Sequence, residues 1–402
     1  MYKIQTLNTI DALGLNQFPR QLYEVSSDLT NPDAILVRSA SLHDKELPES
    51  VKVIARAGAG VNNIPVDKFT KLGIPVLNTP GANANAVKEL VLAGLLLACR
   101  NICQAWGYVR GLSGDDTLIN MQVERDKKQF AGFELPGKTL GIVGLGNVGV
   151  KVANAAIALG MRVIGFDPTI TVKRAWELSA HVEEVLSLDE LIMQSDVISL
   201  HVPLTPETRH LIAASRLRLA KTDLILLNFA RDGIVDKTAL RAALDEGKVL
   251  SYVCDFPCAQ LKDHPRVISL PHLGASTREA EQTCAMMAVK QIRDYLETGN
   301  IVNSVNFPTI EMPFNHGVRL AIVNANIPSM VAQISTKLAD VKLNIVDLLN
   351  RSRDQIAYTL IDVEGEVNAA VISEIAAIEG VIQVRRLEKI RLIAQESAHV
   401  TS

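Results

Sequence analysis

The chain is poor in aromatic residues and carries no excess of charge of either sign. Phe, Trp and Tyr make up 4% of its 402 residues, while hydrophobic residues make up 48%. This balance is typical of parallel sheets covered by helices rather than of aromatic-rich β sandwiches. With 41 Lys+Arg against 44 Asp+Glu, the formal net charge is −3. Such a chain offers no electrostatic footprint for nucleic acid or for an anionic membrane surface, so neither is expected as a partner.

Long apolar runs and paired cysteines are also lacking. The longest uncharged stretches, residues 90–99 and 139–150, fall short of the ~18 residues that cross a bilayer, and the first residues do not have the pattern of a secretory signal. Five scattered cysteines favour reduced thiols over a disulfide framework. None of them completes a Cys/His pattern for structural zinc. The expectation is a cytoplasmic protein without a metal.

Short apolar runs alternate with helical patterns through the first three quarters of the chain. At about 150 residues per domain, the length predicts two or three domains. The alternation of strands and helices predicts parallel sheets with helices on both faces. The predicted strands are 34–37, 51–54, 74–77, 139–143, 162–166, 197–201, 224–228, 249–255 and 267–270, and the predicted helices include 86–103 and 278–298. Residues 107–137, which are richer in glycine and charge, are predicted to form a connection or protruding arm.

A different pattern follows position 306. The segment NFPTIEMPF has two prolines and no periodicity, which predicts a linker. Beyond it, strand-like segments at 319–325, 355–364 and 381–388 alternate with helical patterns at 329–340 and 367–378. This order predicts a small α+β domain of the ferredoxin-like type.

The strongest local signal is a glycine motif between a predicted strand and a predicted helix. The motif GLGNVG comprises residues 144–149, and its candidate cofactor residues are Gly144, Gly146, Asn147, Val148 and Gly149. Its first glycine permits a tight turn, the second lets the backbone approach a pyrophosphate and the third permits close helix packing, while the helix N-terminus supplies unpaired N–H donors. The next strand ends at Asp167, where an acid accepts hydrogen bonds from both ribose hydroxyls and repels a 2′-phosphate. The motif predicts a dinucleotide site that prefers NAD over NADP, with a merely structural turn as the alternative.

Two segments downstream offer the groups that alcohol dehydrogenation needs, a base for the hydroxyl proton and a cation for a carboxylate or carbonyl. NFARDGIVD places Arg231 after a predicted strand, and PHLGAST places His272 at the end of another. Either residue alone would more often be a capping or surface group. Because ligands bind at the carboxyl edge of open α/β sheets, the two together predict hydride chemistry beside the dinucleotide site.

Seven ordered motifs give the chain its likeness to a known family. They are RSAS (38–41), RAGAGVNNIPVD (56–67), NTPGANANAVKEL (78–90), FELPGKTLGIVGLGNVG (133–149), HVPLTPET (201–208), NFARDGIVD (228–236) and PHLGASTREAE (271–281). On these motifs the sequence resembles the D-isomer-specific 2-hydroxyacid dehydrogenases along nearly its whole length. The resemblance implies a Rossmann-type doubly wound NAD domain inserted in a flavodoxin-like split substrate domain. The implied boundaries are 1–100 and 283–306 for the substrate domain, 101–282 for the NAD domain, 307–318 for a linker and 319–402 for a C-terminal domain.

Residue roles follow from the same resemblance. Arg231 would bind the substrate carboxylate and C2 oxygen, and His272 would exchange the C2 hydroxyl proton. The residues along the NAD path would be Thr79, Gly144, Gly146, Asn147, Val148, Gly149, Asp167, Val202, Phe229, Ala230, Asp255 and Gly274. The substrate residues would be Gly58, Ala59 and Gly60 through their backbone, and Arg38 and Arg56 through a phosphate group. The alternative for the two arginines is that they are solvated surface charges.

One feature of the family is missing. A glutamate expected between Asp255 and His272, which stabilises the protonated histidine, falls here on Ala259 or Gln260. Asp263, a few residues on, is the candidate replacement. Without an adjacent carboxylate we expect slow carbonyl reduction near neutral pH, with the flank of the pH profile shifted to lower pH.

The C-terminal domain resembles the ACT regulatory domain, a βαββαβ module that often binds amino acids at subunit interfaces. The positions that contact ligand in serine-inhibited relatives correspond here to Asn324, Asn326 and Asn344. Asn324 stands in place of the usual His and Ser329 in place of the usual Gly, and the second change narrows the space for a small ligand. One expectation is a homo-oligomer, dimer or tetramer, with L-serine as effector. The other is an oligomerisation module without an effector.

The leading hypothesis for function is NAD-dependent oxidation of a phosphorylated 2-hydroxyacid, with feedback by L-serine. Two alternatives stay open. One keeps the hydride chemistry but changes the 2-hydroxyacid, and the other is an NAD-responsive sensor with weakened catalysis. Retention of both Arg231 and His272 favours an enzyme.

Overall fold

The computed structural model describes residues 1–315 and 317–389. They form two compact units, the first built from residues 1–82 together with the residues after 280, and the second from residues 83–280. Within these described ranges, no helix is long and apolar enough to cross a membrane. The same residues contain no group of three or more His, Cys, Asp or Glu side chains placed to hold a metal ion.

The first unit opens on a parallel five-stranded sheet. Its strands are β1 (Tyr2–Leu7), β2 (Tyr23–Ser26), β3 (Ala34–Val37), β4 (Val53–Arg56) and β5 (Val76–Leu77), and its first helices are α1 (Ala12–Leu15) and α2 (Val66–Lys71). The strand order β2-β1-β3-β4-β5 is that of flavodoxin-like folds. Every residue of β3 is buried, because both faces of a central parallel strand are covered. The predicted flavodoxin-like sheet is confirmed.

The second unit contains a seven-stranded parallel sheet. Its strands are β6 (Thr139–Val143), β7 (Arg162–Phe166), β8 (Val182–Glu184), β9 (Val197–Leu200), β10 (Leu224–Asn228), β11 (Val249–Cys254) and β12 (Val267–Ser269). Its helices are α3 (Ala84–Cys99), α4 (Ile102–Arg110), α5 (Asp116–Asp126), α6 (Gly149–Ala158), α7 (Val172–Glu177), α8 (Leu188–Gln194), α9 (Ala214–Leu219) and α10 (Lys237–Asp245). The order β12-β11-β10-β9-β6-β7-β8 reverses between β6 and β9, the switch point at which doubly wound sheets bind ligands. The predicted Rossmann-type sheet is confirmed.

Helix α3 belongs to the second unit, whereas the family resemblance implies a boundary near residue 100. Its Val91 and Leu95 are buried in one core with Leu140 and Val253. Gly94 lies against Phe229, the residue after β10, so closely that a Cβ on Gly94 would be 2.9 Å from the Phe229 ring. The helix therefore packs on the sheet that follows it in sequence. The assignment of the two units to substrate and cofactor stays a prediction.

The stretch 107–137, predicted as a connection or protruding arm, contains the end of α4 and the whole of α5. Neither helix has a buried residue, and Trp106 and Met121 are more than half exposed. Exposed helices of this kind are not held by a core-facing apolar stripe. The start of α5 is marked locally instead, because Asp115 caps α5 by accepting a hydrogen bond from the Leu118 N–H at 2.9 Å.

Helix α11 (Arg278–Thr298) leads into the C-terminal module, defined here as residues 318–388. Its elements are β13 (Val318–Ala325), α12 (Met330–Asp340), β14 (Asn344–Arg353), β15 (Ile356–Glu364), α13 (Ala369–Ala376) and β16 (Val381–Glu388). The antiparallel order β14-β15-β13-β16 confirms the predicted ferredoxin-like fold. One face of the sheet packs on α12 and α13. The other face shares a core with α11 and β1, through side chains such as Ala321, Val323 and Tyr358.

Two arginines of the C-terminal module bind the end of helix α11. Arg319 donates to the Asp362 carboxylate at 2.6 and 2.7 Å and to the carbonyl of the last residue of α11 at 2.9 Å. Arg385 donates to the carbonyls of Tyr295 and Leu296 at 3.3 Å. The last carbonyls of a helix lack intrahelical partners and favour cations. The two guanidinium groups therefore cap α11.

In the linker predicted at 307–318, residues 307–315 contain no helix or regular strand, and β13 already begins at Val318. Residues 307–315 are nevertheless well packed. Phe307, Ile310 and Met312 are buried in the core of the first unit. Ile301 and Ile310 exchange backbone hydrogen bonds at 2.9 and 3.0 Å. Its prolines suppress periodicity without exposing the chain.

Candidate active site

The glycine motif forms the turn between β6 and α6, and two of its glycines accept no side chain. Gly144 has φ +93°, the left-handed region that favours glycine. A Cβ there would lie 2.9 Å from Val202 Cγ1 and 3.0 Å from the His201 carbonyl carbon. A Cβ on Gly149 would lie 2.0 Å from the Gly144 carbonyl oxygen. The turn is therefore tight, and α6 starts in direct contact with it.

The middle of the turn is open and offers hydrogen-bond donors. No atom lies within 4 Å of the position that a Cβ on Gly146 would take. Helix α6 begins after Val148 without a side-chain cap, so the N–H groups of its first turn are not satisfied by a capping side chain. An open backbone beside an uncapped helix N-terminus suits an anion. These residues fit the pyrophosphate of a dinucleotide.

Asp167 lies half-buried just beyond β7 and is fixed by its neighbours. Its Oδ2 accepts a hydrogen bond from the Leu145 N–H at 2.8 Å, and its Oδ1 accepts one from the Thr169 N–H at 2.9 Å. A carboxylate oxygen can accept more than one hydrogen bond. The carboxylate thus holds the glycine turn and keeps capacity for ribose hydroxyls.

Replacing Asp167 by alanine is expected to weaken NADH binding roughly 10- to 100-fold, since a hydrogen bond to a charged group contributes about 1.5–3 kcal/mol. NADPH binding should weaken less, because the repulsion of its 2′-phosphate disappears. Calorimetric titration of both nucleotides measures the difference. Thr169→Ala is the matched control, since it removes a neighbour but keeps the carboxylate. Equal losses for NADH and NADPH would mean that Asp167 only supports the glycine turn.

A buried asparagine shapes the turn that carries Arg231. The Asn228 Nδ2 donates to the Arg231 carbonyl at 3.0 Å and to the Tyr252 hydroxyl at 3.3 Å, and its Oδ1 accepts from the Ala230 N–H at 3.2 Å. The Arg231 side chain is exposed and donates to the Ala230 carbonyl at 2.6 Å. It forms no ion pair with any described residue, so its planar guanidinium retains donors for a carboxylate. No functional role was predicted for Asn228 or Tyr252 from the sequence. The signal that could have identified Asn228 is its position as the polar residue that ends the apolar run LILLN.

The loop carrying His272 is held by the carboxylate of Asp255. Asp255 is 1% exposed, and its two oxygens accept hydrogen bonds from the Leu273 and Gly274 N–H groups, both at 2.7 Å. His272 itself has φ +57°, a conformation uncommon outside glycine. A Cβ on Gly274 would lie 3.1 Å from Asp255 Oδ2. Asp255 therefore fixes the backbone of the loop that carries His272. This structural role is separate from its predicted contact with the cofactor.

No carboxylate among the described residues pairs with the His272 ring. The ring is exposed and meets Phe256 edge-on, with centroids 5.2 Å apart. Ala259 and Gln260 lie in an exposed turn. Asp263, the candidate replacement for the missing glutamate, pairs with Lys262 at 2.7 Å. The structure thus offers an aromatic neighbour where the family pattern has an acid.

The remaining predicted cofactor residues of the second unit lie at the same edge of its sheet. This edge collects the carboxyl ends of the parallel strands. The predicted cofactor residues that follow its strands are Gly144, Gly146, Asn147, Val148, Gly149, Asp167, Val202, Phe229, Ala230, Asp255 and Gly274. The two predicted catalytic residues, Arg231 and His272, follow strands β10 and β12 at the same edge. Phe229 differs from the others because its ring is buried in the core against α3. Only its backbone is placed to line a cofactor path.

The predicted substrate residues follow strands of the first unit. Arg38, after β3, donates to Glu281 Oε1 at 2.6 Å, and both side chains are over a third exposed. Gly58 leaves room for Arg56, since a Cβ there would lie 2.4 Å from its Nη1. The Gly58 N–H donates to the Arg56 carbonyl at 2.9 Å. One of the three N–H groups predicted for the substrate is therefore used within the turn.

The other residues of that turn are held from its far side. Asn78 donates through Nδ2 to the Ala59 carbonyl at 2.6 Å. The buried Thr79 donates its N–H to the Gly58 carbonyl at 3.1 Å. Within the described residues, the N–H groups of Ala59 and Gly60 have no backbone partner. These two groups are the ones available to a ligand.

The three predicted effector residues do not meet within one module. Asn324 is buried near the end of β13, and Asn326 follows it and donates to the Asp354 carbonyl at 3.0 Å. Asn344 starts β14, where it pairs in register with Glu364 at the opposite end of the sheet. Ser329 has φ +68°, so the backbone keeps a conformation that favours the glycine it replaces. The structure brings Asn324 and Asn326 together and places Asn344 apart.

Comparison with known proteins gives one family for this chain. The model of the D-isomer specific 2-hydroxyacid dehydrogenase, NAD binding domain, matches residues 92–274. The D-3-phosphoglycerate dehydrogenase of Methanocaldococcus jannaschii is 37% identical over 335 residues, which are 81% of this chain but only 61% of that protein. The D-3-phosphoglycerate dehydrogenase of Haemophilus influenzae is 30% identical over 404 residues, 96% of this chain and 94% of that protein.

Solved structures show the same architecture. The crystal structure of NAD+-bound 3-phosphoglycerate dehydrogenase from Entamoeba histolytica is similar with a TM-score of 0.58 at 27% identity. The similarity covers 76% of this chain and 98% of that one.

Proposed function

The chain belongs to the D-isomer specific 2-hydroxyacid dehydrogenase family, and on that premise we propose that it oxidises 3-phosphoglycerate to 3-phosphohydroxypyruvate with NAD. This is the first step of phosphorylated L-serine biosynthesis. The observation that carries the proposal is the likeness to the Haemophilus influenzae enzyme, which spans 96% of this chain and 94% of that protein. The Arg231 and His272 loops at one sheet edge support the same chemistry.

In this proposal the chain's own residues bind the reactants and move the proton. Bound NAD supplies the nicotinamide ring that accepts a hydride from C2. The glycine turn and the α6 N-terminus would hold its pyrophosphate, and Asp167 its ribose. Arg231 would hold the substrate carboxylate and C2 oxygen. His272 would take the hydroxyl proton as the C2 hydrogen leaves with its electron pair, and would return that proton in the reverse direction.

The phosphate of the substrate would be bound by Arg38 and Arg56. Arg38 follows β3 and Arg56 is the last residue of β4, both in the first unit. Arg38 is paired with Glu281, so phosphate binding there has to share or displace this carboxylate. Exposed ion pairs contribute at most about 1 kcal/mol. A substrate phosphate can therefore compete for Arg38 at small cost.

We further propose cytoplasmic localisation, a homo-oligomer and L-serine as an effector of the C-terminal module. The separation of Asn324 from Asn344 supports the oligomer, because one module does not place both on one ligand. Binding of L-serine would use Asn324 and Asn326 of one copy together with Asn344 of a second copy.

An NADH absorbance assay tests the proposed function. The panel contains 3-phosphoglycerate, its unphosphorylated analogue glycerate, other D-2-hydroxyacids and the reverse substrate, each with and without L-serine. Turnover of 3-phosphoglycerate with little turnover of glycerate would support the proposal. Preferred turnover of another 2-hydroxyacid would keep the proposed chemistry but identify that acid as the substrate. NADH binding without turnover of any acid would favour the hypothesis of a nucleotide sensor over that of an enzyme.

Restoring an acid near His272 is expected to speed carbonyl reduction at neutral pH. In Ala259→Glu or Gln260→Glu, a carboxylate would stabilise the protonated imidazole that donates the proton. The flank of the reduction profile at high pH should then move up by about 1–3 pH units. Profiles of kcat against pH for wild type and both variants give the answer, with Ala259→Gln as the neutral control. Superimposable profiles would show that neither position reaches the histidine.

A further inference from the structure

A cavity of about 430 Å³ lies within the first unit, and none of its lining residues is among the predicted cofactor, substrate, catalytic or effector residues. It is bounded by residues 46–51 before β4, by helix α2 and the turn after it, and by strand β16 of the C-terminal module. Its apolar wall consists of Leu47, Val51, Phe69, Leu72 and Ile74. The volume falls within the roughly 300–1,000 Å³ of small-molecule pockets.

One polar side chain of the cavity is incompletely satisfied. Gln383 lines the cavity from β16, and its buried Oε1 has no hydrogen-bond partner among residues 1–315 and 317–389. Leaving a buried acceptor unpaired costs about 1–3 kcal/mol. Buried polar groups of native proteins are almost always paired with protein, water or ligand. An orphaned amide beside a cavity therefore points to a donor that occupies it.

The rim of the cavity selects the charge of that donor. Glu46 and Glu49 are exposed and form no ion pair with any described residue. Among the described residues that line the cavity, the one cation is Lys68, whose ammonium group donates to the Lys45 carbonyl at 3.2 Å. Carboxylates therefore outnumber ammonium groups at the mouth, and a positively charged ligand is favoured.

We propose that this cavity binds a small molecule with an apolar body and an ammonium group. The apolar body packs on Phe69, Leu72 and Ile74. The carboxylates of Glu46 and Glu49 attract the ammonium group, and Gln383 accepts one of its hydrogen bonds. Leu72 and Gly73 belong to the same turn, and a Cβ on Gly73 would lie 2.9 Å from Ile382 Cγ2 of β16. The occupant thus contacts both the α2 turn and the C-terminal module and stabilises their packing.

Three six-carbon probes test the proposal on the full chain. n-Hexylammonium, hexanol and hexanoate share an apolar chain and differ only in the head group. Calorimetric titration should rank hexylammonium first, at least about tenfold tighter than hexanoate, and its binding should raise Tm with concentration. Gln383→Leu should weaken hexylammonium binding several-fold and leave the binding of hexanoate, whose carboxylate donates no hydrogen bond, unchanged.

Charge reversal on the exposed rim gives a second test that does not risk the fold. In the double variant Glu46→Lys with Glu49→Lys, hexanoate should bind more tightly than hexylammonium. Glu366→Lys, an exposed acid outside the cavity, is the matched control and should keep the original ranking. Circular dichroism verifies folding of each variant. Failure of hexylammonium to bind up to about 10 mM, or a ranking that does not respond to the rim charges, would overturn the proposal.

Discussion

Replacing His272 by asparagine is expected to lower kcat by about 10²–10⁴-fold, the usual contribution of a general acid–base group. Asparagine tolerates the positive φ of this position better than most residues, so the loop should keep its shape. It carries hydrogen-bonding groups but exchanges no proton. Because the Asp255 carboxylate holds the loop through the Leu273 and Gly274 N–H groups rather than through the ring, NADH affinity and the KM for NAD should change little.

Steady-state kinetics with the substrate found in the assay panel, together with calorimetric titration of NADH, measures both quantities. His181→Asn is the matched control, since this exposed histidine lies in the same unit but precedes β8 at the other edge of the sheet. Its kcat should equal that of wild type. A His272→Asn variant with unchanged kcat would remove the histidine from the proton transfer. A parallel loss of kcat and NADH affinity would assign it a structural role instead.

Replacing Arg319 by leucine is expected to cost about 3–5 kcal/mol of stability, as for other buried charges left without a partner. All five N–H donors of its guanidinium are used: two bind Asp362, and the others bind the carbonyls of Thr298, Met312 and Pro313. Its side chain is 0% exposed. The leucine would leave the buried Asp362 carboxylate without its ion-pair partner and would remove a cap from helix α11. Most domains have only about 5–15 kcal/mol in total, so the urea midpoint should fall steeply.

Two further variants show whether the loss comes from the stranded charge. Arg386→Leu removes a neighbouring arginine that pairs with Glu388 at the surface, and it should cost less than about 1 kcal/mol. The double variant Arg319→Leu with Asp362→Leu should recover part of the loss, because no unpaired charge stays buried. Urea unfolding followed by circular dichroism measures all three. An Arg319→Leu midpoint equal to that of Arg386→Leu would contradict a structural role for the pair.

The sequence predicted strands best where burial is complete. Residues 34–37 and 224–228 are apolar runs, and both strands have the predicted bounds because every one of their residues is buried. β1 and β14 are absent from the strands predicted by apolar pattern, for the opposite reason. Ile4 is the only buried residue of β1, and β14 is an edge strand without a buried residue. Strands held by backbone pairing leave no apolar alternation to find.

The candidate site divides along a similar line. Gly144, Arg231 and His272 stand in local motifs, so their positions after strands could be predicted from a few neighbouring residues. Other contacts arise only when separate segments fold together, such as the hydrogen bond from Asn228 to the Tyr252 hydroxyl and the 5.2 Å contact of the Phe256 and His272 rings. The pairing of Asp263 with Lys262 also depends on turn geometry that spacing alone does not determine.

The shared core of helix α11 and the C-terminal module limits how the chain can be shortened or recombined. Removal of the residues beyond 306 would uncover the face of α11 that packs on Ala321, Val323 and Tyr358. It would also leave the final carbonyls of the helix without their arginine partners. Freshly uncovered apolar surface promotes aggregation. The C-terminal module is therefore part of the folded first unit and cannot be removed alone. We expect a truncated chain to be insoluble rather than to fold as a first unit that lacks only its regulation.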